Sequence, residues 1–330
     1  MIPSDKVMKS LKDIKKPIAK ELKGFEQHFR DSMQSSVPLL DKITYYIVRR
    51  KGKQVRPMFV FLCAKICGEI SESTFHAASF IEILHTASLV HDDVVDDSFA
   101  RRGFFSVNAL WKNKIAVLVG DYLLSKGMQL ALEHQEFELL QIVSSSIQAL
   151  AEGELLQVEK ARRLDIKEDI YFDIIRQKTA SLIASACSAG AASATKDKTE
   201  IEAMRVFGEK IGIAFQIRDD LFDFGTDDVG KPLGIDIKEK KMTLPLIHAL
   251  NQASKKERRH IINLIRRHHD KPEKVKEVIE FVRASEGIRY AEEAMYRYRR
   301  EAFEVLHQFP DSPARQSLED LVIFVTDRKK

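Results

Sequence analysis

Six aspartates of the chain fall into two copies of one spacing, Asp-Asp-x-x-Asp. The copies are Asp92, Asp93 and Asp96, then Asp219, Asp220 and Asp223. Side chains three and four residues apart share a helix face, so each copy would form a carboxylate cluster. Such carboxylates repel and raise one another's pKa unless a cation lies between them. Because Mg²⁺ prefers oxygen ligands and often takes one or two carboxylates plus substrate phosphates, the copies indicate a magnesium site that holds a diphosphate.

The alternative for a single acidic triplet is an ordinary solvated helix face. Here a strongly apolar segment precedes each copy, Ile81–Val90 before the first and Ile211–Phe215 before the second. Acidic runs that interrupt apolar helices are unusual on a plain surface. The repetition of the pattern in apolar surroundings therefore favours the metal site.

The elements that position these clusters are predicted to be helices. With 14 Gly and 9 Pro in 330 residues, breakers are few, and 44% of the residues are hydrophobic. This composition favours an all-α chain, and since no Pro-, Gly- or Ser-rich linker divides it, a single domain over 1–330. The expected helices cover two segments within about 5–50, then about 57–67, 72–98, 115–124, 136–160 and 167–192, with a loop at 225–241 and a helical remainder.

Several classes of protein are disfavoured. The formal net charge of +4 is too small and dispersed to indicate nucleic-acid or membrane binding. The longest apolar runs are interrupted by charge before they reach membrane-spanning length, and the lysine-rich N-terminus lacks the apolar core of a secretory signal. The absence of a membrane-spanning run and of a secretory signal leads us to expect a soluble cytoplasmic protein. Cys63, Cys67 and Cys187 do not complete a set of zinc ligands.

Basic residues lie beside both acidic clusters. Lys53 and Arg56 occupy a turn before a helix, where backbone donors and cations together favour phosphate. Arg101 and Arg102 follow the first cluster, while Lys178, Lys231 and Lys241 are separate in the sequence, and each lies in a loop or next to apolar helical residues. Each taken singly reads as a solvated surface charge, but their joint placement indicates an anionic ligand. His85, seven residues before Asp92 on nearly the same helix face, fits a phosphate contact and a buried core residue equally well.

The motifs together resemble the trans-isoprenyl diphosphate synthases, most closely the bacterial long-chain polyprenyl (octaprenyl-type) diphosphate synthases. The matching segments run in family order over nearly the whole chain. They are Gly52–Pro57, His85–Asp96, Arg101–Gly103, Gly120-Asp121, Lys178-Thr179, Phe215–Asp223, Gly230–Pro232 and Asp311–Asp320. Two departures concern loop shape: Phe104-Phe105-Ser106 after Arg-Arg-Gly, and Lys112 where Gly often follows Trp.

The resemblance implies an antiparallel helical bundle, usually a homodimer, with both acidic clusters facing a deep central cavity. It implies a prenyltransferase that condenses isopentenyl diphosphate head to tail with an allylic diphosphate and needs Mg²⁺, with three ions per site once the allylic diphosphate is bound. Asp92, Asp96 and Asp219 would ligate Mg²⁺ directly, and Asp93, Asp220 and Asp223 through waters. Arg101, Lys178, Lys231 and Lys241 would hold the allylic diphosphate. Lys53, Arg56, His85 and Arg102 would hold isopentenyl diphosphate. Thr179 and Gln216 would line the reacting carbon.

Product length is predicted from the residues upstream of the first cluster. Ser88 and Ala87 lie four and five positions before Asp92, about 6 to 7.5 Å away along the helix. Small side chains there leave a tunnel open, so we expect products of roughly six or more isoprene units, with Leu84 farther down the same tunnel. The alternatives are a farnesyl- or geranylgeranyl-length product and a non-catalytic subunit of a heteromeric synthase. At most a peripheral membrane contact for product release is expected, and no nucleic acid.

Overall fold

The structure, a computed structural model, describes residues 9–49, 52–101, 103–165, 167–225 and 233–327, apart from the side chain of Arg101. The helices are α1 (Leu11–Ile14), α2 (Ala19–Ser32), α3 (Pro38–Arg49), α4 (Val55–Cys67), α5 (Glu72–Val95), α6 (Val107–Glu133), α7 (Phe137–Arg163), α8 (Glu168–Ile175), α9 (Ser181–Ala192), α10 (Lys198–Phe222), α11 (Ile235–Lys238), α12 (Leu244–Gln252), α13 (Lys255–His268), α14 (Pro272–Arg283), α15 (Gly287–Leu306) and α16 (Pro313–Thr326). A short 3₁₀ turn at Lys16–Ile18 precedes α2, and a π-helical turn at Arg176–Ala180 joins α8 to α9. Strands β1 (Ala100–Arg101) and β2 (Phe104–Phe105) form a small antiparallel hairpin. The prediction of an all-α chain is confirmed.

Two long helices, α5 and α10, carry the two acidic clusters at their C-terminal ends. Ser71 and Thr74 form a capping box that starts α5, and the Asp197 side chain accepts a hydrogen bond from Thr199 N to start α10. A helix C-terminus carries partial negative charge. The clusters therefore sit where the backbone adds to their negative potential, which favours a bound cation.

The packing of α10 relates the two clusters to the rest of the molecule. Phe207 and Ile211 of α10 belong to a hydrophobic core built largely by α4, α5, α9 and α16. Ile217 and Leu221, farther along α10, belong to a second core with α8 and α12–α15. Since α10 contributes side chains to both hydrophobic cores, packing on both sides fixes the position of the aspartates at its C-terminal end.

Helix α6 differs from its predicted form. It begins at Val107 rather than near Ile115, and it continues through a kink at Lys112, whose φ is 74°. Within the described ranges it is the one helix long and apolar enough, by length and composition, to cross a membrane, and 33% of that apolar window is buried. The apolar run is thus longer than the sequence suggested, although it packs along α5 as part of the bundle.

Candidate active site

One cavity of about 310 Å³, called here the acidic cavity, brings the two clusters together. Asp92 and Asp96 from the end of α5 line it, as do Asp219 and Asp220 from the end of α10. The remaining lining side chains come from α7, α8, the π turn, Gln216 of α10 and the segment 236–243. The structure therefore places four of the six predicted aspartates around a single space.

The other two aspartates of the pattern face elsewhere. Asp93 is 5% exposed and lines a neighbouring cavity with His85, because it lies on a different side of α5 from Asp92. Asp223 accepts hydrogen bonds from the backbone N–H groups of Ile235 (2.9 Å) and Asp236 (3.2 Å). The carboxylate of Asp223 thus caps α11, and in this way it holds Asp236 beside the second cluster.

The electrostatics of the acidic cavity favour a cation. Burial raises the pKa of Asp220 well above its usual value, and the charge of Asp236 raises it further. Asp236 was not singled out from the sequence, although it lines the same cavity. Among the described side chains no three His, Cys, Asp or Glu are close enough to hold an ion by themselves. Such an open arrangement of oxygens fits Mg²⁺, which takes its other ligands from water and substrate phosphate.

Lys178 reaches the acidic cavity from the π-helical turn. Turns of this kind recur at functional sites because the extra residue redirects side chains. Gly153 of α7 makes the turn possible, since a Cβ there would lie 2.8 Å from Cβ of Gln177 and 3.0 Å from the backbone N of Lys178. The Lys178 ammonium group contacts the carboxylate of Glu154, the next residue of α7. Gly153 and Glu154 therefore set the position of Lys178.

Lys241 enters the same cavity from the segment after α11. Burial lowers the pKa of Lys241, but the charges of Glu239, Asp236 and Asp96 together outweigh burial, so the pKa is raised. Its ammonium group contacts the Glu239 carboxylate. Lys241 thus stays protonated near carboxylates of both clusters, where it can contact an anion.

A chain of hydrogen bonds runs along one wall of the acidic cavity. The Tyr171 hydroxyl donates to Asp220 Oδ2 (2.6 Å), and Gln216 Nε2 donates to Asp220 Oδ1 (2.9 Å). Thr179 Oγ1 donates in turn to Gln216 Oε1 (2.7 Å). The predicted pair Thr179 and Gln216 is therefore in contact, and Tyr171 connects to it through the second cluster.

A second cavity of about 500 Å³, called here the basic cavity, contains the other predicted anion contacts. Lys53, Arg56 and His85 line it together with the apolar side chains of Phe215 and Phe324. The ammonium group of Lys53 lies 5.1 Å from the centre of the Phe324 ring. His85 also lines the cavity that contains Asp93. The structure thus brings these three basic residues together around one cavity.

The remaining predicted residues fall into two groups. Arg102 and Lys231, and the side chain of Arg101, lie outside the described residues. Ala87 and Leu84 are 3% and 4% exposed, and Ser88 is half-buried with its hydroxyl donating to the His85 carbonyl. None of these three lines either cavity named above, so the tunnel stays a prediction.

Three side chains in or beside the site were not singled out from the sequence. Tyr171 lines the acidic cavity from α8, and Glu154 of α7 contacts Lys178 beside that cavity; both lie far in the chain from either acidic motif. Asp236 lies in the segment predicted as a loop, where an isolated acid is ordinarily exposed. Of the three, only Asp236 could have been found from the sequence, because it is an acidic residue in the Gly-rich segment that follows the second cluster.

Comparison with known proteins agrees with this geometry. Residues 37–282 match the model of the polyprenyl synthetase family. The all-trans-nonaprenyl-diphosphate synthase (geranyl-diphosphate specific) of Rhodobacter capsulatus is 36% identical, over 96% of this chain and 97% of that protein. The short chain isoprenyl diphosphate synthase of Methanothermobacter thermautotrophicus is 35% identical, over 92% and 95%.

The fold is shared with a solved structure of the same kind. The polyprenyl synthase of Caulobacter crescentus, crystallised with calcium and isoprenyl diphosphate, superposes with a TM-score of 0.91 at 31% identity, over 98% of this chain and 100% of that one. The matches extend over almost the full length of the chain. It therefore belongs to the polyprenyl synthetase family and is a prenyltransferase.

Proposed function

We propose that this prenyltransferase is a trans-polyprenyl diphosphate synthase with a long-chain product. The observation that carries the proposal is the acidic cavity, where Asp92 and Asp96 face the second cluster in the company of Lys178 and Lys241. Carboxylates and ammonium groups around one space suit a ligand that arrives as a metal-bound diphosphate. The allylic diphosphate is assigned to this cavity.

Mg²⁺, when bound between the clusters and the diphosphate, would neutralise charge on the leaving group. Asp92, Asp96 and Asp219 are the proposed direct ligands, with three ions once the allylic diphosphate is present. Asp93 and Asp223 are less suited as metal ligands. Asp93 lines another cavity on a different side of α5, and Asp223 accepts backbone hydrogen bonds at the start of α11. The like charges of Asp220 and Asp236 supply the negative potential that a cation relieves.

The proposed reaction has two steps, ionisation and alkylation. Lys178 and Lys241 stabilise the negative charge that grows on the diphosphate as the C–O bond breaks and its electron pair leaves with oxygen. The double bond of isopentenyl diphosphate then attacks the allylic cation and forms the new C–C bond. The released diphosphate accepts the proton whose loss restores a double bond. Ile174, Ile175 and Met242 line the cavity and would limit the access of water to the cation.

Isopentenyl diphosphate is assigned to the basic cavity. Lys53, Arg56 and His85 supply donors for its diphosphate, and Phe215 and Phe324 supply apolar wall for its short carbon chain. Phe215 directly precedes Gln216 of the acidic cavity, so the two sites are adjacent along α10. This adjacency is what an attack of one substrate on the other requires.

The test is an assay of the purified chain with labelled isopentenyl diphosphate and an allylic primer, with Mg²⁺ and with EDTA, followed by sizing of the extracted products. We expect Mg²⁺-dependent, long products and a large loss of turnover in Lys241→Ala. Lys238→Ala, on an exposed residue of α11, is the matched control. Absence of product from the chain alone would favour a non-catalytic subunit, and farnesyl- or geranylgeranyl-length products would favour the shorter-chain alternative.

Product length needs this direct measurement because the relatives do not decide it. A nonaprenyl and a short-chain synthase match at nearly equal identity, 36% and 35%. The small side chains of Ala87 and Ser88 upstream of the first cluster favour the longer product.

A homodimer is proposed through the outer face of α6. Leu118 and Leu132 on that face are 56% and 51% exposed, and Val117 and Met128 lie beside them. An apolar helix face of this length favours burial against a second copy of the chain. Light scattering should give twice the chain mass, and Leu118→Glu with Leu132→Glu should give the monomer mass. A monomeric parent protein would contradict the proposal.

A further inference from the structure

We propose that Tyr171 is a positioning residue for the prenyl transfer, and that it acts through Asp220 and Gln216 to orient the hydroxyl group of Thr179. The four residues are called the Tyr171 relay. The inference rests on the proposed function, since it concerns the carbon at which that reaction occurs. It assigns a role to a residue of α8 that neither acidic motif contains.

The direction of each hydrogen bond in the relay follows from its donors. The Tyr171 hydroxyl has one proton and places it on Asp220 Oδ2 at 2.6 Å. Gln216 approaches the other oxygen, Oδ1, at 2.9 Å. The nitrogen of the Gln216 amide lies against this oxygen, so its NH₂ group is the donor and Asp220 Oδ1 the acceptor. Rotation of the amide by half a turn would place its carbonyl oxygen against the carboxylate, which is repulsive.

The orientation of Gln216 then decides the orientation of Thr179. With the Gln216 NH₂ group on Asp220, its carbonyl oxygen faces Thr179 Oγ1 at 2.7 Å. The Thr179 hydroxyl therefore donates its only proton to Gln216. Its oxygen lone pairs are left for the acidic cavity, which Thr179 lines. An oxygen presented in this way stabilises positive charge on a neighbouring carbon.

The burial of Tyr171 and Asp220 makes the relay rigid. Tyr171 is 4% exposed and Asp220 5% exposed, so their bond is shielded from water. Burial, followed by the charge of Asp220, raises the pKa of Tyr171 well above its usual value, so the phenol keeps the proton that it donates. The Tyr171 ring packs edge-on against Phe172, with the ring centres 5.3 Å apart.

The first experiment compares two tyrosines in similar bonds. Tyr171→Phe removes one hydroxyl and leaves the packed ring. Tyr290→Phe is the matched control, because the Tyr290 hydroxyl also donates to a carboxylate, Glu168, at 2.6 Å, outside the acidic cavity. We expect Tyr171→Phe to lower kcat roughly tenfold, with each KM changed less than about twofold, and Tyr290→Phe to leave kcat unchanged.

A double-mutant cycle asks whether Tyr171 acts through Thr179. Thr179→Val removes the oriented oxygen and preserves the shape of the side chain. In that background Tyr171→Phe should change kcat by less than about twofold, since nothing is left to orient. A purely structural role of Tyr171 would give the same loss in both backgrounds, and that result would overturn the relay.

A third measurement is independent of activity. With ¹⁵N-labelled glutamine side chains, the Gln216 NH₂ resonance is identified by its loss in Gln216→Glu. Tyr171→Phe should shift this resonance and speed its exchange with solvent in the ligand-free protein, and Tyr290→Phe should not. If the resonance does not respond, the relay is wrong. An inactive parent protein would overturn the proposed function, whereas the resonance would still decide the hydrogen bonding.

Discussion

The ammonium group of Lys178, on the π turn, contacts the carboxylate of Glu154, on α7. Both side chains are half-buried; Lys178 lines the acidic cavity, and Glu154 lines a neighbouring cavity. Lys178 therefore has a protein counterion before any diphosphate arrives. An arriving diphosphate must share or replace that counterion.

The first prediction concerns this competition. Glu154→Gln removes the charge of the counterion and preserves the shape of the side chain. We expect the KM for the allylic diphosphate to fall by about three- to tenfold, because a charged hydrogen bond contributes roughly 1.5–3 kcal/mol and is partly given up on binding. Steady-state kinetics check the result, and Glu152→Gln, at an exposed residue of α7, is the control. A raised KM would show instead that Glu154 is needed to position Lys178.

The second prediction tests the tunnel. Ala87→Phe and Ser88→Phe should each shorten the product to farnesyl or geranylgeranyl size, since an aromatic ring would fill the space below Asp92. Ala87 is 3% exposed, so its replacement also overpacks the core by about 1–3 kcal/mol. Chromatography of the products measures the length, and thermal melts check folding. Val95→Phe, on an exposed residue of α5, should leave the length unchanged; unchanged products in both tunnel variants would refute the tunnel.

The third prediction concerns the tunnel floor. Phe80 is 1% exposed, and its ring packs against Gly127 of α6. A Cβ atom at position 127 would lie only 2.9 Å from the Phe80 ring, so the ring fits because residue 127 is glycine. Phe80 lies twelve residues before Asp92, or about 18 Å along the helix. We expect Phe80→Leu to lengthen the product, and to destabilise the fold by less than the roughly 3–5 kcal/mol of a truncation to alanine. Phe207→Leu, in the same core, is the control; equal product lengths in both would place the floor elsewhere.

The fourth prediction follows from the raised pKa of Asp220. Burial and the charge of Asp236 hold the pKa of Asp220 above its usual 3.8. A carboxyl group whose pKa is higher in the folded than in the unfolded protein stabilises the folded state at pH values below the pKa of the unfolded protein. This stabilisation is lost as the pH rises through the pKa of the folded protein. Asp236→Asn lowers the pKa of Asp220, so in EDTA it should raise the melting temperature by a few degrees at pH 8 and have no effect near pH 4.

The outcome with Mg²⁺ and diphosphate completes that test. Because Asp236 supplies negative charge to the cation site, the parent protein should gain more stability from these ligands than Asp236→Asn does. Melting curves at both pH values, with and without ligands, measure the difference. If Asp236→Asn lowers the melting temperature in EDTA at pH 8, like-charge repulsion at the cavity is not the dominant effect.

The fifth prediction concerns the kink in α6. Lys112 has φ 74° and ψ 158°, a region that favours glycine and costs other residues about 1–3 kcal/mol. Lys112→Gly should therefore raise the free energy of unfolding by roughly 1 kcal/mol, after the entropy cost of glycine is subtracted. Lys114→Gly, in the regular part of α6, should lower it by a similar amount. Denaturant unfolding of the three proteins measures both effects, and a destabilised Lys112→Gly would show that the kink carries no strain.

Helix type and the pairing of Asp92 with Asp96 were predictable from the sequence, because both depend on the local period of the chain. The same holds for the basic turn before α4, whose Lys53 and Arg56 lie close in the chain and meet in one cavity. The start of α6 was predicted too late. The helix continues through a kink at Lys112, whose positive φ is unusual for a residue other than glycine, and the sequence gives no sign that the segment before this kink is helical.

Sequence by itself determined which residues carry charge, which helices carry them, and that two such helices exist. Tertiary structure decided that Asp93 turns away from the acidic cavity, that Asp223 caps α11, and that Tyr171 contacts Asp220 from a helix 49 residues away in the chain. The physical reason is that a helix repeat fixes only the angles between side chains on one helix. Which face meets the cavity depends on how α5 and α10 pack against α6–α9, and this follows from burial summed over both hydrophobic cores.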